Sequence, residues 1–216
     1  MNKTTIDWAT HSINPVKGLC PMACTYCYAR KMYRRFHWDE TIRYDDMVWQ
    51  TGPHIPTGSR VFVGSTMELF GPWIPSEWIR TILDYVESMP STTFIFLTKN
   101  PKRLKEFNPW PSNAWVGISV DTHQRAFSPG YDQLGIVDAP VRFISAEPLL
   151  SRLLGSVPDY VNWLIIGAQT QPTWLPERAW VEEIERAADD AGIPVFEKAS
   201  LTPLFPDRPL RRVLPT

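Results

Sequence analysis

Short apolar runs recur down the chain, each followed by a polar or helical stretch, and this alternation restricts the fold more than any other feature. The runs are 13–16, 60–65, 92–98, 114–120, 141–145, 163–167 and 194–198. They are too short for helices and rich in Val, Ile, Phe and Trp, which predicts buried strands. Between them, S-E-W-I-R-T-I-L-D-Y-V-E-S reads as an amphipathic helix with Ile79, Ile82, Leu83 and Val86 inward. P-E-R-A-W-V-E-E-I-E-R-A-A-D-D-A-G reads as another, opened by Pro176, closed by Gly192, and turning Trp180, Val181, Ile184, Ala187 and Ala188 inward. Asn100 and Pro101 read as the cap and first residue of a third helix, and Asp121 with Gln124 resembles a capping box. Apolar strands separated by helices predict an α/β fold, a mostly parallel sheet with outer helices.

The 216 residues suit one domain, with an insertion-like segment at 37–59 and a polar, peripheral tail from about residue 200. Within the insertion, Trp38, Tyr44 and Trp49 either line a substrate mouth or, as aromatics more often do, pack against the scaffold. A net charge of −1 provides no global field for nucleic acid. Residues 25–36 have helical character, with Tyr28, Met32 and Phe36 on one face and Arg30, Lys31, Arg34 and Arg35 on the rest. That charge run reads first as a solvated face and second as a phosphate-contacting patch. Residues 1–8 carry no apolar signal region, and no apolar run approaches bilayer-spanning length.

All three cysteines, Cys20, Cys24 and Cys27, fall within eight residues, spaced C-x-x-x-C-x-x-C. A disulfide framework would use an even number spread over the fold. A structural zinc site wants four ligands, and neither His11 nor His37 has a recognisable ligand spacing to the cysteines. Three thiolates can hold three irons of a four-iron cluster and leave the fourth open. Free thiols and such a cluster both predict a reducing, cytoplasmic location.

This spacing, with Tyr26 before the third cysteine, resembles the cluster loop of radical S-adenosylmethionine enzymes. N-P-V-K-G at 14–18, V-F-V-G-S-T-M-E-L-F at 61–70, F-I-F-L-T-K-N-P at 94–101 and F-I-S-A-E-P-L-L at 143–150 are similar to a phage- and bacteria-associated family of radical S-adenosylmethionine-like proteins, a domain of unknown function. The likeness runs from about Trp8 to Lys198. It implies a partial (β/α)6 barrel, a [4Fe-4S] cluster on Cys20, Cys24 and Cys27, and S-adenosyl-L-methionine bound at the open iron. It also implies a flavodoxin- or ferredoxin-like electron donor.

Parallel α/β folds place ligands at the carboxyl ends of their strands. Besides the cysteines, that rule selects Ser65, Thr66, Glu68, Thr98, Lys99, Ser119, Asp121, Ser145, Glu147, Gln169, Thr170, Glu197 and Lys198. The resemblance assigns roles among them. Tyr26 would lie against adenine. Gly64, Ser65 and Thr66 stand where the superfamily contacts the methionine amino group, and Glu68 would assist there or face substrate. Ser119 and Asp121 would take the ribose hydroxyls, Asp121 being equally readable as a helix cap. Glu147 would contact the cosubstrate or fix its loop. Lys99 and Lys198 would neutralise a carboxylate or phosphate at the rim.

The leading expectation is therefore an enzyme that cleaves S-adenosylmethionine and abstracts a hydrogen atom from a substrate left open among nucleic acid, metabolite and peptide. The alternative is a non-catalytic iron–sulfur or zinc module. A hydrolase built on Glu68 and Glu147 leaves the cysteines without a role.

Overall fold

Six of the apolar runs become parallel strands of one sheet, while the first is displaced: the sheet strand ends at Ile13, and Val16 pairs in a separate two-stranded sheet. The computed structural model describes residues 2–50, 55–122, 130–153 and 156–215. The strands are β1 (Asn2–Lys3), β2 (His11–Ile13), β3 (Val16–Lys17), β4 (Arg43–Tyr44), β5 (Arg60–Val63), β6 (Thr93–Thr98), β7 (Ala114–Ser119), β8 (Val141–Ala146), β9 (Trp163–Ile166), β10 (Gln169–Thr170), β11 (Thr173–Trp174) and β12 (Val195–Glu197). The helices are α1 (Tyr28–Phe36), α2 (Met47–Gln50), α3 (Ser76–Glu87), α4 (Tyr131–Gly135) and α5 (Arg178–Ala191). The main sheet runs β1-β2-β5-β6-β7-β8-β9-β12, and β1 alone is antiparallel. Pairs β3–β4 and β10–β11 stand apart as two-stranded sheets. The parallel strands never reverse their order, unlike those of doubly wound folds.

The two-residue period of the strands sorts side chains onto two faces. Val61, Val63, Phe94, Phe96, Val116, Ile118, Ile144, Leu164 and Ile166 share a core with Ile79, Ile82 and Val86 of α3 and Val181, Ile184 and Ala188 of α5. Ile95, Phe143, Trp163, Ile165 and Phe196 turn the other way and gather around Trp8. Gly117 makes room on that second face, since a Cβ there would fall 2.4 Å from the Phe143 ring. The Trp8 ring centre lies 4.8 Å from that of Phe62 on β5 and 6.4 Å from that of Trp163 on β9. Asp7 accepts the Ala199 backbone N–H at 2.7 Å and pairs with Arg212 at 2.9 Å, so the lead-in to β2 meets the chain just beyond β12.

Several expectations need correction. Asn100 is not a side-chain cap: its amide donates to the Phe70 carbonyl at 2.7 Å, and a 3₁₀ helix (Pro101–Phe107) follows. The Asp121–Gln124 capping box lies outside the described residues, because Gln124 does. α1 docks through Ala29 and Tyr33, not through Tyr28, Met32 and Phe36. Tyr33 wins because its hydroxyl takes the Gly18 N–H at 2.8 Å, fastening the helix to the loop before it. In the insertion, Trp49 stacks on Tyr85 with 4.8 Å between ring centres and Tyr44 lies 5.9 Å from Trp78, so both pack on α3.

The tail is not peripheral. Leu201 and Phe205 are buried, and residues 211–213 run antiparallel along β12 through the bonds Glu197 N–H to Arg211 O (2.8 Å) and Val213 N–H to Val195 O (3.1 Å). This covers an edge that would otherwise present unpaired backbone groups. Among the described residues, no helix is long and apolar enough to cross a membrane.

Candidate active site at the carboxyl ends of the strands

The site begins where β2 ends. Asn14 follows it, and its side-chain oxygen accepts the Ser65 hydroxyl and the Thr66 backbone N–H, each at 3.1 Å. Gly64 enables this by turning at φ 80° just after β5. Ser65 and Thr66 are thus positioned by Asn14, which heads the N-P-V-K-G stretch and whose role is not marked in the sequence beyond its place, a polar residue between a strand and Pro15.

The cysteine loop follows. Gly18, at φ 111°, passes so close to the next segment that a Cβ would fall 2.6 Å from the Thr41 carbonyl oxygen. Ala23 sits in the left-handed region at φ 50°, which a side chain-bearing residue adopts at some cost, and its position here makes the loop a shaped one. Arg30 closes the loop onto α1 by donating to the Cys20 carbonyl at 2.6 Å. The Cys27 N–H donates to the Cys24 carbonyl at 3.1 Å, and α1 starts at the next residue. Tyr28 then reaches across to the Ser65 carbonyl at 2.7 Å.

All three thiols are free and half-buried. Burial pushes the Cys20 thiol up, backbone N–H groups of Glu68 and Met22 act against it, and the charges of Glu68 and Cys27 add to the rise. Among the described residues, no three His, Cys, Asp or Glu side chains are gathered tightly enough to hold a metal ion, so the loop offers donors without a closed cage. The donor chemistry still fits an iron–sulfur group: soft sulfur ligands from one loop, with backbone N–H groups directed at one sulfur. It fits zinc less well. His11 lies 3.0 Å from the Thr10 hydroxyl through Nδ1, and His37 forms the C-cap of α1.

A polar network links the loop to four strand ends. Tyr26 donates to the Asp121 carboxylate at 2.5 Å, a contact spanning 95 residues of chain. Lys99 donates to the Ser119 hydroxyl at 2.5 Å, and its ammonium lies 5.5 Å from the Tyr26 ring centre. Ser119 donates in turn to the Glu147 carbonyl at 3.3 Å. Glu147 and Lys198 form a half-buried ion pair. Gly167 lets that pair pass, since a Cβ there would lie 3.1 Å from carbons of both side chains. Ser145, paired with Ser119 in the β7–β8 register, is fully buried, and its hydroxyl has no hydrogen-bond partner among the described residues. A buried unmatched hydroxyl costs about 1–3 kcal/mol and is commonly met by a bound polar group or water.

The side chains of Glu68, Gln169 and Glu197, also selected by the strand-end rule, stay outside this network, although the Glu68 backbone N–H reaches Cys20. Glu68 is buried with its carboxylate occupied: Oε1 accepts the Thr98 hydroxyl (2.6 Å) and the Phe70 N–H (3.0 Å), and Oε2 accepts the Lys99 N–H (2.8 Å). It braces the loop after β5 against the end of β6 and so positions Lys99. Burial pushes its carboxyl up against the pull of those bonds. Gln169 closes its own hairpin by donating to the Pro172 carbonyl at 2.8 Å. Glu197 turns to the other face, toward Arg208.

A family model described as "Protein of unknown function (DUF5131)" matches residues 3–200. No curated protein and no solved structure matches.

Proposed function

We propose, from the premise that the chain belongs to the DUF5131 family, that it is a radical S-adenosylmethionine enzyme on a partial barrel. Curvature supports the barrel. In a flat sheet β5 and β9, four strand spacings apart, would be separated by about 19 Å, yet Trp8 packs against Phe62 and Trp163 together. The bond from Asp7 to Ala199 brings the two edges toward one another as well. Strands that follow one another without reversal keep their connections on one face, which leaves the other to close around its own aromatics.

The observation that carries the functional reading is the cysteine loop itself. It delivers three free thiols and Tyr26 to the carboxyl ends of a parallel sheet, and Tyr26 is fastened there to Asp121. Cys20, Cys24 and Cys27 would hold the cluster. When bound, a four-iron cluster with one open iron supplies an electron, drawn from a flavodoxin- or ferredoxin-like donor, that cleaves S-adenosylmethionine to methionine and a 5'-deoxyadenosyl radical. The chain's own residues bind and orient. Tyr26 offers an aromatic face and holds Asp121 still. Asp121, expected to take the ribose hydroxyls, is instead buried with its carboxylate on the Tyr26 hydroxyl, so it sets the tilt of the Tyr26 ring from below. Lys99 brings positive charge to the rim, held by the Ser119 hydroxyl, whereas the charge of Lys198 is already met by Glu147. Ser119 ties Lys99 to the Glu147 carbonyl and so keeps the two strand ends in register. Trp115, Phe143 and Trp163 form an apolar floor that excludes water.

Anaerobic reconstitution with iron and sulfide tests this reading. About four irons per chain, with 5'-deoxyadenosine released after reduction, is the expected result. Binding of one zinc ion with no vacancy, or iron lost equally with Cys24 intact or replaced by Ala, would overturn it. The alternative is a non-catalytic iron–sulfur or zinc module held by the same three free cysteines. That module would take up metal and release no 5'-deoxyadenosine.

A further inference from the structure

The C-terminal end of α1 keeps two arginines and the Phe36 ring in solvent. The nine residues of the helix include four cations and no acid. Arg30 is engaged by the cysteine loop, and Lys31 donates to the Gln171 carbonyl of the β10–β11 hairpin at 3.2 Å. Arg34 and Arg35 are exposed, and among the described residues neither pairs with a carboxylate. The nearest acid in sequence, Asp39, is occupied by Arg43 at 2.7 Å and the Thr41 N–H at 2.9 Å.

Beside these arginines stands a stacked aromatic pair. Phe36 is 51% exposed and Trp38 is 42% exposed. Their ring centres are 5.5 Å apart and the planes differ by 23°. The turn at His37 builds the pair. His37 adopts the left-handed region at φ 51°, and its N–H and that of Trp38 both fold back onto the Tyr33 carbonyl. The edge of Tyr33 fixes Trp38 from behind, with 5.3 Å between ring centres. The Arg35 guanidinium lies 5.3 Å from the Phe36 ring centre. A lone exposed ring needs no explanation, but two rings held parallel in water beside unpaired guanidiniums do. Flat faces for bases next to cations for phosphates are what single-stranded nucleic acid requires, and a duplex, with its faces already stacked, cannot use them.

We propose that Arg34, Arg35, Phe36 and Trp38 form a platform for single-stranded nucleic acid. Unpaired bases stack on the outward faces of the Phe36–Trp38 pair, with Arg35 leaving the Phe36 ring for one flanking phosphate and Arg34 taking another. The helix begins at the residue after Cys27 and rises about 1.5 Å per residue, so the platform stands some ~13 Å along the axis from the cysteine loop, a distance a few nucleotides cross. This names the substrate class for the site proposed above and rests on that reading for what happens at the rim; the binding step does not.

Fluorescence anisotropy with a labelled single strand of about twelve nucleotides, within the usual site size, tests the platform at low and physiological salt. The full chain should bind single strands in preference to the same sequence as duplex. The dependence on salt should be shallow, because two to three neutralised phosphates give a log–log slope of about −1.5 to −2. Trp38→Ser should weaken binding roughly fivefold or more, the loss of one stacked base. Arg34→Glu with Arg35→Glu should reduce it more strongly and flatten the salt dependence. Far-ultraviolet circular dichroism reports whether each variant is folded. Unchanged affinity in both folded variants, tighter binding of duplex, or no binding by the full chain overturns the platform. Cys24→Ala separates the two proposals: lost iron with retained oligonucleotide binding supports both. Binding in a full chain that takes up no iron sinks the enzyme reading and leaves the platform standing.

Discussion

Glu68 and Glu197 are both buried at strand ends, and the chain satisfies them in opposite ways. Glu68 is met by neutral donors, one hydroxyl and two backbone N–H groups, and burial pushes its carboxyl up. Glu197 is met by charge. Arg208 donates to both of its oxygens at 2.9 Å, the Arg211 N–H adds a bond at 2.7 Å, and its carboxyl is held below the ordinary range against the upward push of burial. A further carboxylate, Glu185, shares Arg208 and Arg211 with it. Burial first, and Glu197 second, push Glu185 up to about 7. The neutral brace belongs to the rim, where a guanidinium would compete for ligand. The ionic clasp belongs to the outer face, where the tail must be held to α5 and β12.

Four changes would break or sharpen this contrast. Glu197→Ala should have the largest effect, about 3–5 kcal/mol in urea denaturation, because it strips a buried partner from Arg208. A loss under about 1 kcal/mol would mean that the tail is held without this clasp, by the buried Leu201 and Phe205, the backbone pairing with β12 and the remaining ion pairs. Glu68→Ala comes next, at about 2–4 kcal/mol, since it leaves three neutral donors unmatched. It should also lower iron retention by loosening Lys99 and the cysteine loop, which the Glu197 variant should not do.

The third change is pH. Glu185 has a folded pKa above its ordinary 4.5, so the native state holds the extra proton between that value and about 7. Its contribution to stability is complete below the lower value and is lost as pH rises through the upper one. The melting temperature should therefore fall between about pH 5 and pH 8, and Glu185→Gln should flatten the slope. An identical slope in that variant would remove Glu185 as the cause. Tyr26→Phe should have the smallest effect on stability, about 1.5–3 kcal/mol for one hydrogen bond to a carboxylate. It should nonetheless cut 5'-deoxyadenosine formation severalfold, measured by chromatography, because the ring at position 26 loses its orienting partner. Full activity in that variant would make the Tyr26–Asp121 bond a structural tie only.

The two buried glutamates also mark where reading the chain in order stops working. The inward residues of α3 (Ile79, Ile82, Leu83 and Val86) follow from their spacing, and all four are buried. α5 follows the same rule at Val181, Ile184 and Ala188, but periodicity counts apolar residues, so it could not place Glu185 in the core. That residue is buried because Arg208 arrives from 23 positions away. α1 inverts the rule altogether: the face with the aromatic repeat stays in water, and the helix docks by Ala29 and the hydroxyl of Tyr33.

The residue order by itself determined the alternation of strands and helices, the parallel sheet, the strand ends that carry polar groups, and the single loop that holds every thiol. Those are local properties, written in periods of two and of three to four residues and in spacing along the chain. Only the tertiary structure decided that Tyr26 meets Asp121, that Glu68 is a brace and Glu197 a clasp, that Asn14 seats Ser65 and Thr66, and that the tail seals β12. Each of these depends on which of several competing partners reaches a buried group first. That is settled by the free energy of contacts between segments far apart in the chain, which no local pattern encodes.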